Sequence, residues 1–203
     1  MLCHQEVLHN PEWTIGAHFE VLPHKYQAHP TEYYMEFWDV GGAKKYALSR
    51  SLFFKDAKQQ GARWGCCTSG LILVHDLSNK KSHANLKNWL DEFIAVAGDL
   101  NQSLSWGKTN NNILEIQLEN GSTLLPVLVI GNKKDLLGKA MKITYPEEEG
   151  KEEIHLSAQD PKTFTEGSHA QMVMKSFFDK VIYQQFFKNQ KHLYRTFSPL
   201  PSP

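Results

Sequence analysis

The sequence is short of cysteine, of charge imbalance and of long apolar runs. Only three of its 203 residues are cysteine: Cys3, Cys66 and Cys67. Adjacent cysteines rarely bridge each other, and an odd count builds no disulfide framework. Free thiols in a reducing compartment are expected. Lys+Arg and Asp+Glu stand at 22 each. That balance gives no electrostatic case for nucleic acid, and no polybasic cluster argues for a membrane surface. No apolar run reaches the roughly 20 residues of a membrane span, and the N-terminus lacks a charged-then-apolar signal pattern. A cytoplasmic protein is the expectation. Hydrophobic residues make up 41% of the chain and charged residues 22%, as in a globular domain with a sizeable core.

Ten histidines raise the question of metal. His4, His9, His18, His24 and His29 lie in a stretch that reads as irregular or extended. None pairs with a cysteine at ligand spacing, so solvated surface histidines are expected. Cys66, Cys67 and His75 offer three ligands without a fourth, a poor zinc site, and read better as a core or loop thiol pair.

Two extended segments, 17–23 and 32–38, flank a polar stretch with Pro23 and Pro30, the pattern of a long-looped hairpin. Leu71–His75 and Val127–Ile130 are short continuous apolar runs, read as parallel strands buried on both faces. Ile113–Leu118 alternates and reads as a small added strand within a surface insertion over 99–123. Glu153–Leu156 reads as a third, shorter buried strand. Leu86, Trp89, Leu90, Phe93, Ile94 and Ala97 recur at helical spacing, with Ser82 expected as cap and Gly98 as stop. Met174, Phe177, Phe178, Val181 and Ile182 mark a last helix. The segment 191–203 reads as a disordered tail. Strands alternating with helices imply an α/β fold, helices covering both faces of the sheet, with ligands outside the carboxyl ends of its strands.

Chemistry-bearing residues follow those strands. Asn132-Lys133-Lys134-Asp135 comes straight after Val127–Ile130. A carboxylate there can accept from a purine ring nitrogen and an exocyclic amine together, which selects guanine over adenine. The Asn amide donates and accepts, and the Lys stem can cover the base. A polar strand-to-helix turn is the plainer reading of the same tetrapeptide. Trp38-Asp39-Val40-Gly41-Gly42 ends another strand. Asp39 could hold magnesium through water, and the Gly42 amide could approach a terminal phosphate with no side chain in the way. An acidic glycine turn is the plainer reading. Thr14, before the first strand, could ligate magnesium, and the amides of Ser157-Ala158 could reach a base carbonyl. Each is weak alone; their common order and their placement after strands is the stronger signal.

In that order the motifs resemble a Rab-type, Rab-like small GTPase of the Ras superfamily, from Asn10 to about Asn189. The resemblance implies a small-GTPase (P-loop NTPase-like) mixed sheet and GTP/GDP with Mg2+ as ligands. Asn132, Lys133, Asp135, Ser157 and Ala158 would bind guanine. Thr14 and Asp39 would serve magnesium, and Gly42 a phosphate. Effector or regulator proteins would engage the switch segments, and self-association is left open.

The chain departs from the family in three ways. It has no first strand followed by a Gly-rich loop ending in Gly-Lys-Ser or Gly-Lys-Thr. Gly107-Lys108-Thr109 has the ending, but the position five before it is Gln102. The expectation is a domain over 1–190 that is incomplete at its N-terminus, with two unpaired inner strand edges. Ala43 stands where the family places a water-orienting Gln, so GTP hydrolysis is expected to be slow or absent. No catalytic residue is assigned. Extra sequence over about 55–70 has no counterpart, and the end Leu200–Pro203 carries no cysteine for a lipid anchor. A GTPase-like scaffold that binds a partner without nucleotide remains the alternative to a GTP-binding regulatory switch.

Overall fold

The computed structural model describes residues 3–4, 6–7, 11–55, 68–97, 114–118, 123–137 and 153–188. Cys66, Cys67, Gly98, His9, Gly107-Lys108-Thr109, the segment 191–203 and most of the expected insertions lie outside these.

Strands β1 (Ala17–Lys25) and β2 (Glu32–Val40) form an antiparallel hairpin. Helix α1 (Ala47–Lys55) follows. Strand β3 (Leu71–Asp76) leads to a short helix α2 (Lys80–Ala84) and to α3 (Leu86–Ala97). Strand β4 (Leu114–Leu118) pairs antiparallel with the first half of β5 (Thr123–Asn132). Strand β6 (Glu153–His155) pairs parallel with the second half of β5, and β3 lies parallel along β5's other edge. Helix α4 (His169–Ile182) closes the domain, capped by Ser168, whose hydroxyl accepts from the Gln171 amide.

β5 is central because its side chains are apolar on both faces. Val127 and Val129 pack with Leu73, Leu90 and Phe93 beneath α3. Leu128 and Ile130 pack with Ile154, Met174 and Phe177 beneath α4. Helices therefore cover both faces, as the paired apolar runs require. Among the described residues no helix is long and apolar enough to cross a membrane.

The sheet is in two pieces: β1–β2, and β3–β5 with β4 and β6. Among the described residues no strand joins β2 to β3. The hairpin is held instead through α4. Phe37 meets Phe178 edge-on at 5.7 Å, and His24 Nε2 shares a 2.7 Å hydrogen bond with Asp179 Oδ1. This corrects the expectation for His24, whose side chain is only 8% exposed. Strand alternation aims it at α4, where a carboxylate satisfies it. His4, His18 and His29 are exposed as expected.

The expected single helix after β3 is two. Asn79, not Ser82, caps the first by accepting from the Lys81 amide. The Ser82 hydroxyl instead bonds the carbonyls of Asp76 and Asn79, fastening α2 to the end of β3.

Candidate functional site

β5 ends at Asn132, beside Asp76 of β3. The chain then turns through Lys133, which sits in the left-handed region at φ 63°. Asn132 accounts for the turn: its side-chain Oδ1 accepts from its neighbour's amide, Lys133 N, at 2.7 Å. The same oxygen accepts from the Ala158 amide at 3.0 Å. Asp135 lies in the following 3-10 turn, and its Oδ1 accepts the Ser157 hydroxyl. The Lys134 amide donates to the Leu156 carbonyl at 3.1 Å. The loop after β5 and the loop after β6 are thus latched by side chains and backbone together. Ser157 is buried, while Asp135 and Lys133 are exposed.

Asp76 belongs to the same cluster, though sequence reasoning gave it no role. Its Oδ2 pairs with Lys133 Nζ at 2.7 Å. Burial pushes this carboxyl up, but the hydrogen bonds from Lys133 and Ser78 outweigh it and hold it below the usual aspartate range. The pair steers the Lys133 stem back over the end of β3.

The second group sits at the end of β2. The Thr14 hydroxyl donates to Asp39 Oδ2 at 2.6 Å. Adjacent oxygens around a six-coordinate magnesium ion lie about 2.9 Å apart, so these two are already within reach of one cation. The eight residues singled out by sequence therefore fall into two groups, on the two sides of the break between β2 and β3.

Gly42 is exposed, and a Cβ there would make only ordinary contact with the Trp89 ring, at 3.7 Å and beyond. The sterically demanding glycine is its neighbour. A Cβ on Gly41 would fall 2.5 Å from the Thr14 carbonyl, and the Gly41 amide donates to the Gly16 carbonyl at 2.8 Å. Gly41→Ala must displace the Thr14 segment. We expect it to cost roughly 1–3 kcal/mol, whereas Gly42→Ala costs less than about 0.5 kcal/mol, as read by urea unfolding.

A further residue escaped the sequence reading. Arg50 of α1 is 4% exposed. Its Nη1 donates to the carbonyls of Gly41 and Ala43 at 3.0 and 2.9 Å. Its Nε and Nη2 fork onto Glu92 of α3 at 2.7 and 3.0 Å, and its guanidinium lies 4.8 Å from the Trp89 ring centre. The segment after β2 is thereby tied to α3.

Comparison with known proteins comes out on one side. The chain is 33% identical over 205 residues to Rab-like protein 3 of Mus musculus, covering 92% of this chain and 78% of that protein. It is 35% identical over 196 residues to Rab-like protein 3 of Xenopus laevis, with the same coverage of 92% and 78%. It is 32% identical over 108 residues to the small GTPase-like protein LIP2 of Arabidopsis thaliana, covering 53% of this chain and 26% of that one. No protein-family model matches the chain.

Proposed function

This chain belongs to the Rab-like small GTPases of the Ras superfamily, and from that we propose that it is a GTP-binding switch that hydrolyses GTP slowly or not at all. The observation that carries the proposal is the latch between the loops after β5 and β6. Asn132 and Asp135 are held by Ala158 and Ser157, which supports a surface that would be in place before any base arrives. Asp135 would accept from guanine's ring N–H and exocyclic amine. Lys133 would cover the ring, and the amides of Ser157 and Ala158 would meet its carbonyl. Thr14 and Asp39 would hold Mg2+, which neutralises phosphate charge when bound, and the Gly42 amide would face the terminal phosphate. Ala43 offers no group to orient water, hence the slow turnover.

The fit is uneven. The contacts of Asn132, Asp135, Thr14 and Asp39 support a base site and a magnesium pair, but the described residues contain no Gly-rich phosphate cradle. Binding should therefore rest on the base and reach about micromolar affinity. Trp13, Ile15 and Leu48 are 90%, 81% and 84% exposed around the segments after which a partner would dock. That apolar exposure fits effector or regulator proteins in cytoplasmic signalling or vesicle trafficking.

The test is titration of the folded 203-residue chain with fluorescent GDP and GTP in Mg2+, with ATP as competitor, followed by single-turnover hydrolysis. Binding that GTP but not ATP displaces, with turnover no faster than the uncatalysed rate, is the expected result. No binding, or equal displacement by ATP, would leave the second reading ahead. That reading is a GTPase-like scaffold that holds a partner without nucleotide, and the interrupted sheet between β2 and β3 favours it.

A further inference from the structure

Behind the base-reading loops, three histidines converge on one carboxylate. His75 is the penultimate residue of β3, Glu153 opens β6, and His83 comes from α2. His75 Nε2 lies 2.7 Å from Glu153 Oε1, and His83 Nε2 lies 3.7 Å from Glu153 Oε2. One ligand atom from each of these three residues lies within 4.8 Å of the others. His155, two residues beyond Glu153 on the same strand face, holds Oε1 from another direction at 2.8 Å. None of these residues takes part in the nucleotide site.

We propose that His75, His83 and Glu153 form a binding site for a transition-metal dication of the zinc class. Ligands bonded tetrahedrally to zinc at 2.0–2.1 Å stand roughly 3.3 Å apart. His75 stands 2.7 Å from Oε1 and His83 3.7 Å from Oε2 of the same carboxylate, and with one ligand atom from each of the three within 4.8 Å, side-chain rotation would bring them to that spacing. The donor set, two imidazole nitrogens and one carboxylate oxygen, suits zinc and its neighbours rather than magnesium or calcium, which take oxygen ligands. Binding takes each imidazole in its neutral form, with the metal on Nε2 and the proton on Nδ1. The fourth position goes to water, with His155 orienting the carboxylate as an outer partner.

The surroundings fit such a site. His75 is fully enclosed, Glu153 is 12% exposed, and His83 and His155 are about a third exposed, which leaves an entry path from solvent. The carboxylate lies close against the backbone of β5: a Cβ on Gly131 would fall 2.6 Å from Glu153 Oε1 and 2.5 Å from Leu77 Cδ2. Gly131 is the register partner of both His75 and His155. An ion here would clip β3 and α2 to β6, a three-residue strand held by one short stretch of pairing. Ser157 and Ala158 follow β6 after Leu156.

The experiment uses the whole chain, stripped of metal by chelator and kept free of nucleotide. Zn2+ is titrated by calorimetry and Co2+ by visible absorption. Expected are one equivalent of Zn2+, the intense absorption of tetrahedral Co2+, and a higher unfolding temperature with Zn2+ present. His83→Ala, at a partly exposed position, should weaken binding at least about tenfold while its far-ultraviolet circular dichroism stays native. Glu153→Gln, similar in shape, is the second variant, and it decides if His83→Ala does not fold. His18→Ala is the control, because His4 and His18 share Glu20 on the exposed surface. No binding by the folded chain overturns the proposal. So does binding that survives in the folded cluster variants, or that His18→Ala abolishes instead.

Discussion

Arg50→Ala is expected to destabilise the chain by about 3 kcal/mol and to lower the urea midpoint by roughly 1–2 M. Arg50 is almost completely buried and joins its own helix to two pieces of structure: the segment Gly41–Ala43, and α3 through Glu92 and the Trp89 ring. Truncation leaves two carbonyls without their donor and the Glu92 carboxylate without its partner. The carboxylate costs little, because Glu92 is 31% exposed and regains water. The carbonyls and the lost packing carry most of the effect, since buried acceptors left unmade cost about 1–3 kcal/mol each. Arg50→Lys should recover less than half of the loss. An ammonium is a point charge and cannot span two carbonyls and a forked carboxylate together. Glu92→Gln should cost only about 1 kcal/mol. A loss below about 0.5 kcal/mol for Arg50→Ala would mean that the segment after β2 does not depend on this anchor.

Arg50 shows where the sequence is silent. β3 and β5 were legible as short continuous apolar runs, and α4 because its apolar residues repeat at the helical period. α1 was not. Its Phe53 packs on Trp38 of the hairpin while Phe54 packs on Phe93 of α3, so the helix serves two surfaces and shows no single stripe. Its arginine reads as an ordinary surface charge until Glu92 is known to lie beside it. The buried histidines were hidden for the same reason. His24 finds Asp179 across 155 residues, and His75 finds Glu153 across 78. No local pattern announces such a partner. Asn79 and Ser82 are both good capping residues, and which one caps depends on where β3 ends.

The candidate site divides along the same line. The positions of Thr14, Asp39, Asn132, Asp135 and Ser157 were legible, because each borders a strand end and carries a functional group suited to a polar ligand. Their connections were not. That the Ser157 hydroxyl reaches Asp135, that Lys133 reaches back to Asp76, and that Gly41 rather than Gly42 is the crowded glycine all depend on strands meeting from distant parts of the chain. Residue types set what a group can bond, and packing sets what it does bond. The latch between the two loops therefore became visible only in three dimensions, and the proposed base-reading role rests on it.

Asp135→Asn tests that role directly. The variant is expected to bind GDP at least about 100-fold more weakly and to gain affinity for xanthosine diphosphate. The carboxylate accepts two hydrogen bonds from guanine in the proposed pose, and charge-assisted bonds are worth about 1.5–3 kcal/mol each. Losing about 3 kcal/mol corresponds to more than a hundredfold. The fold should persist, because the amide carbonyl of the variant can still accept the Ser157 hydroxyl as Asp135 does now. That bond also decides the orientation of the new group. With its oxygen engaged by Ser157, the amide turns its N–H2 toward the base, where a donor meets guanine's donors and is repelled. Xanthine carries a carbonyl where guanine carries the amine, so the same N–H2 finds an acceptor. Calorimetric titration of wild type and variant with both nucleotides reads the exchange. A folded variant that binds GDP within about threefold of wild type would show that Asp135 does not read the base. One that loses GDP and gains nothing for the xanthine nucleotide would show that the Ser157 latch does not set the direction of the side chain.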